Sequence, residues 1–190
     1  MPIAEPLGAL QDLVARGLVR EIGCSNFSAA QLQEALDSVT PGQPRFECVQ
    51  NHYSLMHRAP AQDGVLDWCA DNSTALIPFF PLHNGLLTGK YRLGQEQPDG
   101  TRLSGSPRGE EILTEQNLRL VGELSDWAVA RERSLLELAF GWLLARPQVA
   151  SVIAGATSPT QIAGNAAAAG WTPDAAEQQE VLGILAAHGA

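Results

Sequence analysis

Four short runs of apolar residues occur along the chain, and each is followed by residues typical of turns or helix caps. Between them, apolar residues recur at the three- and four-residue spacing of amphipathic helices. Strands that alternate with helices in this way predict βα units and a parallel sheet. The four predicted strands are Leu18–Gly23, Phe46–Gln50, Ala75–Phe80 and Val149–Ile153.

Capping signals predict where several of the helices begin. A serine followed three residues later by glutamine or glutamate is the capping box, in which each side chain bonds the other residue's backbone N–H. Proline favours the first turn of a helix, because its missing N–H is not needed there. The predicted starts are Ser28 with Gln31, Pro60, Ser134 with Glu137, Ser158 through Gln161, and Thr172-Pro173.

The segment Tyr91–Glu111 interrupts the alternation, since six of its residues are glycine or proline. So many breakers predict a long loop rather than a helix or a strand. Loops of about 20 residues inside compact domains are usually functional lids or disordered segments. A helical pattern resumes from about Leu113 to Arg131.

The spacing of the strands suits more than one α/β architecture. The first three predicted strands begin near positions 18, 46 and 75, about 28 residues apart. A complete (β/α)8 barrel of about 250 residues averages roughly 31 residues per unit, so the spacing fits an arc of such a barrel. A doubly wound open sheet fits equally well. The whole chain, residues 1–190, is expected to form a single domain.

The composition and net charge of the chain argue against nucleic acid and a membrane as partners. Hydrophobic residues make up 45% of the chain, and its net charge is −9. An acidic protein suits the phosphate backbone of nucleic acid poorly, and no apolar run reaches the ~20 residues of a membrane span. Three cysteines without paired spacing (Cys24, Cys48 and Cys69) and the lack of a secretory leader at Met1–Ala15 predict reduced, buried thiols in a cytoplasmic protein.

The residues that follow the predicted strands suit the binding of a ligand. In barrels and in open α/β sheets alike, ligands bind beyond the carboxyl ends of the strands. Here those ends carry amides, hydroxyls, two phenylalanines and glycine-rich backbone, but no carboxylate and no lysine. Such groups can hold a ligand by hydrogen bonds and stacking, whereas they are poorly equipped to transfer protons. The segments are Ser25-Asn26, Gln50-Asn51, 79–85 and 155–158.

Four stretches in sequence order resemble one family. GLVREIGCSNF, FECVQNHYSL, PFFPLHNGLLTGKY and SVIAGATSPTQIAGN are similar to the fifth to eighth strands of aldo-keto reductases and the segments that follow them. The resemblance covers nearly the whole chain, from about Glu5 to the final helix. It implies a partial (β/α)8 TIM barrel, made of about four parallel βα units of the second half together with extra helices.

The resemblance also implies a site for a nicotinamide dinucleotide. NADPH is the family's usual cofactor. NADH stays open, because Gly164 replaces a glutamate of many relatives, and positions 155 and 161 lack the lysine and arginine that some use on the 2′-phosphate. The implied contacts are Ser25, Asn26 and Gln50 on the carboxamide, Phe79 on the nicotinamide ring, the N–H groups of Phe80 and Leu82 on the pyrophosphate, Gly155, Ala156 and Thr157 on the ribose phosphate, and Gln161 and Asn165 near the adenine.

The family's catalytic aspartate, tyrosine, lysine and histidine lie in the first four strands, to which nothing in this chain corresponds. No catalytic residue is therefore expected, and Lys90-Tyr91 belongs to a motif that relatives do not use as an acid. The resulting hypothesis is the NAD(P)H-binding half of a carbonyl reductase, inactive alone. The alternatives are a non-catalytic nucleotide-binding remnant or assembly module and, less favoured, a different (β/α) enzyme.

Two further expectations concern partners and metals. A closed barrel fills its interior with about 12 side chains, of which half would come from these strands and would lie uncovered without the other half. We therefore expect self-association or a separate half-barrel as partner. His52, His57 and His83 lack the paired spacing and carboxylate neighbours of a zinc site, so no metal is predicted.

Overall fold

The computed structural model describes residues 2–189, in which strands and helices follow one another largely as the apolar pattern predicts. Three parallel strands lie side by side in the order β1-β2-β3. They span Ile22–Ser25, Phe46–Gln50 and Ala75–Leu76. The fold is therefore α/β with a parallel sheet, as predicted.

Helices occupy most of the remaining described chain. A short 3-10 segment, His83–Thr88, follows the third strand. The α-helices are α1 Ala4–Ala15, α2 Ala29–Asp37, α3 Ala59–Gln62, α4 Val65–Asp71, α5 Pro107–Ile112, α6 Glu115–Val129, α7 Leu135–Leu144, α8 Pro159–Ala168 and α9 Ala175–Ala187.

The first strand begins four residues later than predicted. Leu18 and Val19 are apolar but exposed, at 61% and 37% of their surface. They follow Gly17, whose φ of 68° reverses the chain after α1, and the N–H of Leu18 bonds the carbonyl oxygen of Leu13 at 3.0 Å. These residues thus complete the end of a helix, and the strand starts at Ile22.

The predicted fourth strand is not a regular strand among the described residues. The segment 149–153 meets its neighbour only at two isolated parallel bridges, Leu76 to Val149 and Phe79 to Ile153. Pro78 lies between the two bridge positions on the β3 side, and it has no N–H to donate to a ladder. The described sheet accordingly has three regular strands rather than about four, although the fourth segment lies beside β3 as expected.

Two capping boxes are confirmed, and two helix predictions are corrected. The hydroxyls of Ser28 and Ser134 each accept a hydrogen bond from the backbone N–H three positions on, and the serine N–H groups donate the reciprocal bonds to the side chains of Gln31 and Glu137. The helix predicted from Pro60 is divided into α3 and α4 by Gly64, whose φ is 82°. The last helix starts beyond Thr172-Pro173, because Asp174 forms the capping box there.

The predicted loop Tyr91–Glu111 is wrong at its end, where α5 begins at Pro107. Ser106 caps this helix by accepting a hydrogen bond from the N–H of Gly109 at 3.0 Å. Gly109 stands inside the helix because a Cβ at this position would overlap the carbonyl oxygen of Leu103. Its role is to permit close packing rather than to break the helix, which composition alone does not reveal.

One face of the sheet packs on helices, whereas the other is partly open. The core contains the fully buried Trp142 and Tyr53, whose ring centroids are 5.3 Å apart. On the opposite face Gly23 and Ser25 are exposed. A Cβ at Gly23 would meet the sulfur of Cys48, so the Cys48 side chain lies on this open face too.

The three cysteines are all free thiols, as predicted, but their burial differs. Cys69 is 1% exposed, whereas Cys24 and Cys48 are half-buried. Burial raises the pKa of Cys69 to about 11 and, together with the neighbouring Cys48 and Cys69, raises that of Cys24 to about 12.

Candidate functional site

The four predicted strand ends lie next to one another at one edge of the sheet. Backbone hydrogen bonds connect each strand end to the next, so the residues beyond them form a continuous row. The links are Asn26 N–H to Gln50 carbonyl at 3.0 Å, Phe79 N–H to Asn51 carbonyl at 3.1 Å, and Ile153 N–H to Pro78 carbonyl at 2.9 Å.

Three of the residues predicted to bind the carboxamide are direct neighbours. The hydroxyl of Ser25 donates to the carbonyl oxygen of Gln50 at 2.9 Å, and Nδ2 of Asn26 donates to the hydroxyl of Ser25 at 3.1 Å. Asn26 has a φ of 60°, a conformation that asparagine tolerates better than most residues. The side-chain amide of Gln50 makes no hydrogen bond within residues 2–189. Its donor and acceptor are both available to a ligand.

Phe79 and Phe80 follow on the next strand and differ in exposure. Phe79 is half-buried and forms bridges with His52 and Ile153 on either side. Phe80 is 38% exposed and has a φ of 53°, which is uncommon for a large side chain. Within the described chain the N–H groups of Phe80 and Leu82 donate no hydrogen bond. Both are therefore free to contact an anion, the role predicted for them.

The segment after the fourth strand end is exposed and partly engaged with itself. Within residues 2–189 the N–H groups of Gly155 and Ala156 have no acceptor. Thr157 donates both its N–H, at 2.7 Å, and its hydroxyl, at 3.1 Å, to Oε1 of Gln161. Gln161 therefore offers only its NH2 group to a ligand. Asn165 lies one turn further along α8, where it is half-buried.

Two positively charged side chains, Lys90 and Arg102, lie beside this row and were not predicted as site residues from the sequence. Nζ of Lys90 lies 3.4 Å from the position that a Cβ on Gly85 would occupy. The guanidinium carbon of Arg102 lies 6.0 Å from the centroid of the Phe80 ring. Both thus flank the turn that carries the free N–H groups. In the sequence, Lys90 belongs to a motif without a catalytic role, and nothing in the segment 91–111 distinguishes Arg102 from its other residues.

The imidazole rings of His52, His57 and His83 pack beside the Phe79 ring, and we call this group the aromatic column. The imidazole of His52 stacks on that of His57, with centroids 4.0 Å apart and planes within 4°. It also stacks on Phe79 at 5.6 Å and 25°, and on His83 at 5.9 Å and 19°. Burial, with smaller contributions from the two neighbouring histidines, lowers the pKa of His52 to about 4. Burial likewise lowers the pKa of His83. Both rings are therefore neutral near pH 7.

No group of three or more His, Cys, Asp or Glu side chains in the described part of the chain is arranged to hold a metal ion. The histidines are close together, but stacked rings hold their in-plane nitrogens parallel instead of directing them at one point.

None of the helices in residues 2–189 combines the length and hydrophobicity needed to cross a membrane.

The row of strand ends combines an amide-and-hydroxyl cluster, an aromatic ring and free N–H groups at the carboxyl edge of a parallel sheet. This is the edge at which α/β proteins bind their ligands. Residues 1–184 match the Aldo/keto reductase family, and the chain belongs to that family. The implied resemblance is thereby confirmed.

Named relatives illustrate the similarity. The chain is 32% identical over 167 residues to L-glyceraldehyde 3-phosphate reductase of Escherichia coli K12, covering 86% of this chain and 48% of that protein. It is 29% identical over 172 residues to the NADH-specific methylglyoxal reductase of the same organism, covering 88% and 49%. A solved glycerol dehydrogenase of Gluconobacter oxydans superposes with a TM-score of 0.82 at 29% identity, covering 99% of this chain and 55% of that one. The chain spans about half the length of the relatives it matches.

Proposed function

We propose that this chain is the NAD(P)H-binding half of an oxidoreductase that reduces aldehydes or ketones to alcohols. The observation that carries the proposal is the contact of Ser25, Asn26 and Gln50 at one point of the sheet edge. A carboxamide has one acceptor and two donor hydrogens, and this cluster offers matching groups of both kinds.

The remaining groups fit the other parts of a dinucleotide in sequence along the edge. The ring of Phe79 would stack on the nicotinamide, and the free N–H groups of Phe80 and Leu82 would take the pyrophosphate. Lys90 and Arg102 would add positive charge at the phosphates. The exposed Gly155–Thr157 segment and the face of α8 with Gln161 and Asn165 would take the adenosine end.

The reduced cofactor, when bound, supplies a hydride to the carbonyl carbon of the substrate. The side chains in this row hold and orient the ring, but none of them is a suitable proton donor at the reacting oxygen. We propose that the acid comes from a second half, so that the chain alone binds cofactor without turning over substrate. We propose small aldehydes and ketones as the class of substrate, and the support for this is that two relatives are named for L-glyceraldehyde 3-phosphate and methylglyoxal.

We further propose that the sheet is an arc of a TIM barrel whose open face is covered by another half-barrel. Parallel sheets are almost always buried on both faces. Here Gly23 and Ser25 are exposed on the open face, Ile153 at the opposite, β3 side of the sheet is 48% exposed, and Leu18 and Val19 are exposed ahead of β1. A partner half, from a second copy or another polypeptide, would bury these groups. A single monomer species in sedimentation with cooperative unfolding would contradict this part.

NADPH is the cofactor we favour, with NADH as the alternative. NADH stays the alternative because one relative is named as specific for it. At position 161 a glutamine whose oxygen is bound by Thr157 presents only a neutral donor. Such a donor would bind a 2′-phosphate less strongly than the planar charge of arginine.

We also propose the cytoplasm as the compartment, and the three free thiols are consistent with it.

The test is a titration with NADPH, followed by quenching of tryptophan fluorescence and by the emission of the bound nicotinamide. Gln50→Ala and Asn26→Gly should each weaken binding about 2- to 10-fold, the usual effect of losing one hydrogen bond. Glycine keeps the positive φ at position 26. Gln43→Ala is the matched control, because Gln43 is exposed in the turn before β2, at the opposite end of that strand from Gln50. A folded chain that binds neither NADPH nor NADH would instead favour an assembly module.

A further inference from the structure

The aromatic column beside Phe79 is built from two loops, because His52 and His57 both lie on residues 51–58 between β2 and α3, whereas His83 follows β3. His52 follows β2 and forms a parallel bridge with Phe79 itself. His57 lies in a turn closed by two backbone hydrogen bonds with Ser54, of 3.0 and 3.1 Å. His83 begins the 3-10 segment after β3 with a φ of 45°. Their rings meet only because these loops converge at the strand ends.

We propose that His52 is a positioning residue for the nicotinamide: its ring packs against the Phe79 ring and holds it in the orientation in which it stacks on the cofactor. This inference rests on the cofactor role proposed above. The His52 and Phe79 rings stack within 25° of parallel, and His57 stacks on His52 in turn. The column therefore restricts the tilt of Phe79, and a stacking ligand needs a ring that is already oriented.

The charge of the column matters because the two redox forms of the cofactor differ in charge. Oxidised nicotinamide carries a positive charge on its ring, and reduced nicotinamide does not. Nε2 of His52 is buried and makes no hydrogen bond within the described residues, which disfavours protonation. An uncharged His52 ring therefore accepts both forms. A fixed positive charge at position 52 would repel the oxidised form selectively.

The other charged or titratable groups near the column are few. His57 and His83 stack in it, and Asp63 lines the same cleft of about 250 Å³ as His52 and His57. Arg102 lies over Phe80. Because Asp63 would partly offset a new cation, the effect of a charge at position 52 is expected to be moderate.

The experiment measures dissociation constants for NADPH and NADP+ with the full chain and three variants. NADPH is followed by its own emission, and NADP+ by competition. His52→Phe keeps a stacking ring and should bind both forms within about twofold of wild type. His52→Ala removes the support and should weaken both about 2- to 10-fold. His52→Arg keeps a planar group but adds charge, so the ratio of the NADP+ to the NADPH constant should rise at least about threefold. His188→Ala, at the end of α9, is the matched control.

The outcomes separate the two proposals. If wild type binds neither form, the cofactor role fails and this inference fails with it. If wild type binds but His52→Ala and His52→Arg leave both constants unchanged, only the inference is overturned. If His52→Ala proves unfolded by circular dichroism, the comparison of His52→Phe with His52→Arg decides. A purely structural role would not change the ratio between the two redox forms.

Discussion

Substituting Gly23 by alanine tests the β1–β2 pairing on which the site depends. A Cβ at this position would lie 2.5 Å from Sγ of Cys48 and 2.9 Å from the Cys48 carbonyl oxygen. Both distances are shorter than van der Waals contact. Because the same pairing places the Ser25 hydroxyl beside the Gln50 carbonyl, displacing β1 would also disturb the proposed carboxamide cluster.

The expected cost follows from which atoms can move. The sulfur of Cys48 can rotate away at small cost, but the carbonyl oxygen belongs to the strand backbone and can move only with it. Overpacking of this kind typically costs about 1–3 kcal/mol. With an m-value of about 2 kcal/mol/M, the midpoint of urea unfolding should fall by about 0.5–1.5 M.

A double-mutant cycle separates the two contacts. Cys48→Ala removes the sulfur, so Gly23→Ala should cost less in that background than in wild type, while the clash with the carbonyl oxygen remains. Urea unfolding of the four proteins, followed by circular dichroism, gives the coupling free energy. A Gly23→Ala variant as stable as wild type, or costs that simply add, would refute the packing described for the open face.

Three further predictions address caps, charge and exposure. Ser134→Ala removes a capping box and should cost about 0.5–2 kcal/mol in unfolding free energy, whereas the exposed Ser151→Ala should cost less than about 0.5. The unfolding free energy should fall as pH falls from the ordinary histidine pKa of 6.5 to about 4, because the unfolded chain binds a proton that folded His52 resists. His52→Phe should reduce this slope, and an unchanged slope would contradict the assignment. In peptide mass spectrometry Cys48 should be alkylated faster than the buried Cys69, and equal rates would contradict the burial described.

Local signals predicted the fold well wherever they were not overridden by longer contacts. The run Phe46–Gln50 coincides with β2, whose apolar residues Phe46 and Val49 are the buried ones. The apolar Leu18 misled the prediction of β1, because it closes the end of α1. Gly109 misled the prediction of the loop, because it permits close approach to Leu103 in the turn before α5, a contact that counting glycines and prolines does not reveal.

The candidate site could be predicted only in part, for the same physical reason. Residues directly at strand ends, such as Ser25 and Gln50, are brought together by the parallel sheet itself, so their position in the chain is sufficient to predict their contact. Arg102 and the imidazoles of His52 and His83 reach the row through loops, whose paths depend on packing rather than on periodicity. The spacing of the histidines therefore led to the prediction of no metal, but it did not predict that their rings stack.

The acidity of the chain limits how it could hold a dinucleotide. A net charge of −9 creates a field that disfavours an anionic ligand at long range. At physiological ionic strength this field is screened over about 8 Å, so groups in direct contact outweigh it. The free N–H groups of Phe80 and Leu82 and the cations Lys90 and Arg102 lie together at one turn of the row. In the proposed complex, affinity for the pyrophosphate would therefore arise mainly at this turn, where the loss of a single contact should weaken binding most.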